Sequence, residues 1–215
     1  LDLGKRIFYI SAAVLGLILL PVHHLGDSVG DDLFRWIGIS PWSNWGTYGF
    51  HLPVLMGLLL LTIGCIGVWK IYSPRYRKIG SYLLIGCIVF IYIFPFMSKQ
   101  FFFLTKYNST DISSVAYSKK NSKCTYTAED KKVKAECKLN IYNYGKLEQV
   151  TLRPIINQEM LQANLEPKVV IVPPRSQTFV NEIFYEDQMK DSSIQVWDND
   201  VSVEIEVNGY KKTFE

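Results

Sequence analysis

The sequence predicts an α+β membrane protein: three transmembrane helices followed by an extracytoplasmic antiparallel β-sandwich. Three observations carry that prediction. First, Phe50 to Trp69 and Ile79 to Ser98 are 20 residues each without Asp, Glu, Lys or Arg, about the length an α-helix needs to cross a ~30 Å hydrocarbon core. Second, the short connection between them holds Lys70, Arg75, Arg77 and Lys78 and no acid, and short basic loops stay on the cytoplasmic side. Third, after Phe101, Phe102 and Phe103 the apolar runs give way to alternation of apolar and polar residues, the period-two pattern of half-buried strands.

The charge distribution divides the 215 residues the same way. Residues 1–98 hold seven Lys/Arg against four Asp/Glu, whereas residues 99–215 hold sixteen of each. The formal net charge of +3 therefore belongs to the membrane half, where topology accounts for it. No nucleic-acid partner is implied.

The membrane domain is expected over residues 1–98. Its first span, 7–26, follows Lys5 and Arg6 and contains no charged residue. A signal peptide would need small residues at a cleavage site beyond its apolar middle; Pro21, Val22, His23 and His24 stand there instead, so an uncleaved helix is expected. With Lys5 and Arg6 inside, the chain exits, returns through 50–69, turns on the basic loop and exits again through 79–98. The external loop 27–49 holds Asp27, Asp31, Asp32 and Arg35. Trp36, Trp42, Trp45 and Tyr48 outside, with Trp69, Tyr72 and Tyr76 inside, suit the two headgroup regions. Within the loop, Val29, Leu33, Trp36 and Ile37 recur near helical spacing and fit either a short helix lying on the membrane surface or an irregular loop packed on the bundle. Ala12, Gly16, Gly57 and Gly64 are small enough to let helices approach closely. Pro95 is expected to kink or loosen the third span near its end.

A juxtamembrane linker is expected over 99–106 and the external domain over 107–215. The clearest strand is Lys132 to Tyr142, where Val133, Ala135, Cys137, Leu139 and Ile141 alternate with polar residues. Further strands are expected at Ile112–Tyr117, Lys123–Thr127, Leu147–Ile155, Lys168–Val172, Gln177–Phe184, Ser193–Trp197, Val201–Val207 and Tyr210–Phe214. Asn208 and Gly209 fit a two-residue type I′ turn. Gln158–Leu165 reads as a loop or one helical turn, and Asp198, Asn199 and Asp200 as a turn. So many short strands in one segment resemble an immunoglobulin-like or fibronectin-like sandwich, a likeness of architecture that carries no function with it.

Cys124 and Cys137 face one another when the chain is reflected about Asp130 and Lys131, so a disulfide is expected in an oxidising compartment. Cys65 and Cys87 read as apolar fillers within the spans. All three histidines, His23, His24 and His51, fall in the membrane half. With Asp27 they are the weak candidates for a metal site, but their spacing carries no ligand pattern, so neither a metal nor any other cofactor is expected. The external domain has no histidine, nucleophile elbow or phosphate loop, and no catalytic residue is assigned.

The expected function is non-enzymatic: an accessory, sensor or assembly subunit that meets the lipid bilayer and a membrane-protein partner. The alternatives are a receptor or transporter component for a metal or an envelope carbohydrate, and a membrane enzyme using the outer His/Asp loop. The excess of lysine and the external domain point to a multi-pass protein of a bacterial plasma membrane.

Overall fold

In the computed structural model the described residues are 3–44, 49–129, 132–155, 165–186, 194–198 and 201–214. Trp45, Tyr48, the Asp130–Lys131 turn, most of Gln158–Leu165, and Asn199 with Asp200 lie outside them. The chain divides into two compact units, Leu1–Lys99 and Gln100–Glu215.

The first unit is helical: α1 (Leu3–Leu19), α2 (Val29–Trp36), α3 (Leu52–Tyr72) and α4 (Ile79–Thr105, which runs on past the unit boundary). Two of these, α3 and α4, are long and apolar enough to cross a membrane. The expected first span, 7–26, is shortened and shifted. Helix α1 already includes Lys5 and Arg6 and stops at Leu19, because Pro21 disfavours helical geometry in the residue before it. Its 17 residues make it about 26 Å long. The residues expected as a linker, 99–106, are helical as far as Thr105, since α4 continues through Pro95.

Helices α1 and α3 run antiparallel along a seam of small side chains. A Cβ on Gly16 would fall 2.6 Å from the Gly57 carbonyl oxygen, one on Gly64 would fall 2.5 Å from Ala13 Cα, and Gly67 lies under the Tyr9 ring. Only glycine permits such backbone approach, and in lipid the gain is dispersion between closely packed backbones. The spacing of Ala12, Gly16, Gly57 and Gly64 thus serves contact within the chain. Helix α4 has no buried residue at all.

Helix α2 forms where the apolar spacing allowed it. Ser28 and Asp31 close a capping box: the Ser28 hydroxyl accepts from the Asp31 N–H at 3.0 Å, and the Asp31 carboxylate accepts from the Ser28 N–H at 2.8 Å. This satisfies two otherwise orphaned donors at the helix start. Phe34 turns inward, while Leu33, Trp36 and Ile37 remain exposed, Trp36 by 83%.

The second unit holds eight strands: β1 (Val115–Glu129), β2 (Lys132–Asn143), β3 (Gln149–Ile155), β4 (Lys168–Ile171), β5 (Ser176–Glu186), β6 (Ile194–Asp198), β7 (Ser202–Val207) and β8 (Tyr210–Phe214). They make two four-stranded antiparallel sheets, ordered β5-β2-β1-β6 and β4-β3-β7-β8. Inward residues of both sheets, among them Tyr126, Leu139, Phe184, Leu152 and Ile205, belong to one apolar cluster. The two strands expected at Ile112–Tyr117 and Lys123–Thr127 are one. Ile112–Ser114 is a 3₁₀ turn capped by Asp111, and β1 then carries an irregularity in which it advances from Ser118 to Lys123 while β2 advances only from Asn140 to Lys138. The Ser122 hydroxyl holds that irregularity closed, accepting from the Asn140 N–H at 2.9 Å and donating to the Ser118 carbonyl at 2.7 Å.

Asn208 and Gly209 have φ of 52° and 82° and join β7 to β8 with Val207 opposite Tyr210, the two-residue geometry expected. Cys124 and Cys137 are directly opposite across β1 and β2, with sulfurs at disulfide distance and Cα atoms 4.1 Å apart.

Candidate functional site

Two places bring polar or exposed apolar groups together in patterns worth chemical consideration. The first is the loop that follows α1. The sequence offered His23, His24, Asp27 and His51 as its candidates, and the structure sends the three histidines three ways. The His23 Nε2 lies 3.2 Å from Asp32 Oδ2. His51 Nε2 lies 2.8 Å from Asp31 Oδ1, its ring edge-on to Trp42 with centroids 4.6 Å apart. His24 turns to α4: its Nδ1 is 3.0 Å from the Ser98 hydroxyl, which also accepts from the His24 N–H and donates to the Pro95 carbonyl. Burial, followed by the nearby charges of His23 and Lys99, lowers the His24 imidazole to about 4, so it is neutral at physiological pH.

His23, Asp27 and Asp32 present ligand atoms within 4.8 Å of one another. Arg35 projects into the same group. Its two Nη atoms donate to the two oxygens of Asp27 at 3.1 and 3.2 Å, and its guanidinium lies 3.7 Å from Asp32. A fork-to-fork pair of this kind is among the stronger ionic contacts. The hydrogen bond to Asp27 raises the Arg35 pKa, outweighing burial, with the charges of Asp27, Asp31 and Asp32 adding to it. The carboxylates therefore already face a fixed cation, and a metal would have to compete with it.

The second place is the outward face of the β5-β2-β1 sheet. On β5 the residues Phe179, Asn181, Ile183 and Tyr185 point away from the core, and Phe179, Ile183 and Tyr185 are exposed. The register sets them beside Asn140, Lys138, Glu136 and Lys134 of β2, and these in turn beside Lys123, Thr125 and Thr127 of β1. A shallow groove of about 550 Å³ runs between Lys123, Glu136, Lys138, Asn181 and Ile183. The Lys138 ammonium sits 4.9 Å above the Phe179 ring. The face is thus an apolar stripe with a mainly basic border.

Strand β5 is an edge strand, paired only with β2 among the described strands. Near its end the Tyr185 carbonyl accepts from the Glu166 N–H, while Lys168 pairs with Glu182. The alternation of Gln177–Phe184 predicted a strand, but edge position depends on sheet order, which no local pattern encodes. In the other sheet, Glu204 bridges Arg153 at 2.9 Å and Lys211 at 3.3 Å. Burial alone would raise its carboxyl; the hydrogen bonds from Lys211 and Arg153 outweigh it and hold the carboxyl low. This is a cross-strand brace and offers no vacancy for a ligand.

Compared with known families, curated proteins and solved structures, the chain finds no match, so the geometry alone must supply the functional reading.

Proposed function

We propose that the chain is a membrane-anchored, non-catalytic subunit that binds a protein partner through the outward face and edge of β5. The observation that carries this reading is the strand itself. It is 11 residues long, lies at a sheet edge and presents Phe179, Ile183 and Tyr185 to solvent. Proteins blunt such edges with charge, bulges or covering segments unless another chain pairs there. Strand addition supplies main-chain hydrogen bonds, and the side-chain stripe supplies selectivity. Lys123 and Lys138 favour a partner segment with acidic flanks.

In this reading α3 and α4 cross the bilayer with Lys70, Arg75, Arg77 and Lys78 on the cytoplasmic side. Helix α1 is the third span: its antiparallel contact with α3 from Tyr9 to Leu20 keeps it in the same slab despite its length. Two sheets around one apolar cluster then form an extracytoplasmic immunoglobulin-like or fibronectin-like sandwich. The fused anchor holds that domain and its partner in one plane, which raises effective concentration when both regions can engage.

The metal-receptor and outer-loop-enzyme alternatives rest on the group of His23, Asp27 and Asp32, where Arg35 already supplies positive charge. Photo-crosslinking groups at Phe179 and Ile183 in the full chain, used in cells, test the proposal. A reproducible protein captured at both positions, and not from Lys212 on β8, is the expected result. Absence of such a protein, together with binding of a sugar or metal by the purified chain, would replace it with the receptor reading.

A further inference from the structure

Between α3 and α4 lies a cleft of about 420 Å³. Its walls are Leu61, Cys65 and Ile66 from one helix and Leu83, Cys87 and Ile88 from the other, and no charged residue lines it. Cys65 and Cys87 thus line the same cleft from opposite helices. The cleft runs towards Trp69 and Gly80, where the indole edge lies within 3.4 to 3.5 Å of the place a Gly80 Cβ would occupy. Beyond this end the chain turns through the α3–α4 connection.

That connection carries Lys70, Arg75, Arg77 and Lys78, all exposed. Among the described residues no carboxylate pairs with any of the four. The Arg75 guanidinium rests on the Tyr76 ring, 5.7 Å from its centroid, an arrangement that orients the planar fork without consuming its hydrogen-bond donors. Helix α4 also begins here, adding the positive end of its dipole to the same field. An apolar cleft thus ends in a cluster of unpaired cations, a match for a molecule with an apolar tail and an anionic head.

We propose that the α3–α4 cleft binds one anionic phospholipid, an acyl chain lying between the helices and the headgroup phosphate on Arg75, Arg77 and their neighbouring lysines. The proposal rests on the reading that α3 and α4 cross a bilayer. Charge complementarity selects the occupant: a partner's transmembrane helix would fill the apolar walls but would leave the four cations without counter-charge. Basic pockets at the cytoplasmic ends of membrane helices bind phospholipid headgroups through this combination of burial and charge. Arginine is suited to phosphate because its fork donates two parallel hydrogen bonds.

The test uses the full chain in mild detergent, titrated with phosphatidylglycerol or phosphatidylcholine and followed by native mass spectrometry. One phosphatidylglycerol should bind at roughly 25-fold or more lower concentration than phosphatidylcholine, the preference expected when at least two of the basic residues meet the headgroup at roughly fivefold each. Arg75→Gln with Arg77→Gln should reduce that preference roughly tenfold or more, leaving Lys70 and Lys78 to maintain orientation. Cys87→Phe should weaken phosphatidylglycerol binding by filling the cleft while the cations remain. Because that variant alters a helix contact, the surface double variant keeps the proposal falsifiable if it fails to fold.

Equal affinity for the two lipids would overturn the proposal. So would competition by glycerol phosphate at the same concentration as the intact lipid, which would make the site one for free phosphate. A dimer that forms in place of the lipid complex and dissociates on Cys87→Phe would assign the cleft to a second copy. Alkaline extraction of native membranes separates the two levels: release of the chain would sink the membrane reading itself, whereas retention with equal lipid affinities would sink only the lipid site.

Discussion

The α1–α3 seam and the interior of the two sheets are built from different kinds of residue. In the helical unit Ala12, Gly16, Gly57, Gly64 and Gly67 are inside, while Ile7, Phe8, Leu59, Leu84 and Tyr92 are exposed. In the β unit Tyr126, Leu139, Phe184 and Ile205 are fully buried, while Lys and Glu side chains cover much of the outside apart from exposed apolar residues such as Ile171 and the β5 stripe. Water drives large apolar groups together because their removal from solvent is favourable. Lipid offers no such gain, so helices meet where small residues allow backbones to touch. Residue size at the buried positions thus fits water around the β unit and, under the proposed membrane reading, lipid around the helical unit.

The largest expected effect tests the aqueous half of that contrast. Phe184→Ala removes a large side chain from the cluster shared by both sheets and should cost about 3–5 kcal/mol. Pulse proteolysis of the β unit in the full chain measures it; a cost under about 1 kcal/mol would mean that the cluster is loosely packed. The lipid half is tested by Ile85→Asp, on the exposed surface of α4. A charge there should cost about 2.5–3.5 kcal/mol of insertion free energy, read by membrane integration. A change within about 0.5 kcal/mol, as at an ordinary wet surface, would break the comparison.

A smaller effect has a diagnostic sign. Gly→Ala in a helix is ordinarily favourable by about 1 kcal/mol, and Gly86→Ala should behave so, since nothing lies within 4 Å of its added methyl. Gly64→Ala drives that methyl against the Ala13 backbone and should instead cost about 1–3 kcal/mol. Thermal stability of the two variants in the same detergent decides the matter; stabilisation by both would dissolve the seam.

The smallest effect concerns the hinge of loop and helix at His24. Its folded pKa of about 4 lies below the ordinary 6.5, so between those values the unfolded chain binds more protons. The contribution to stability is therefore complete above about pH 6.5 and declines as pH falls towards 4. His24→Gln, which can keep a hydrogen bond to Ser98 but does not titrate in this range, should flatten that dependence. An unchanged pH profile would place His24 in a solvated setting.

Much of this division was legible because it rests on periodic or compositional signals. Charge-free runs located α3 and α4, and reflection of one hairpin gave the opposition of Cys124 and Cys137. The errors fall where geometry is local or non-periodic. Pro21 ended α1 before its apolar run ended; the extra residues between Ser118 and Lys123 looked like a break between strands although the sheet absorbs them. The loop histidines were legible as a group, but their separate partners Asp32, Ser98 and Asp31 were not. Ser98 lies 74 residues from His24 in sequence, and only folding makes them neighbours. The edge position of β5 was invisible for the same reason.

The bond between Cys124 and Cys137 also makes a record. It joins β1 and β2, the two central strands of their sheet, with β5 and β6 added on either flank. The cysteines are 13 residues apart, so their hairpin needs no distant part of the chain to bring them together, and loops of about that length close in well under a microsecond. Oxidation must wait for an oxidant and takes seconds to hours. Under the proposed orientation that step follows export, so each molecule carries a covalent date stamp: reduced while its second unit is newly made, oxidised once that unit has resided outside. Pulse-labelled chains separated by thiol state would then be sorted by age, with the hairpin as the clock.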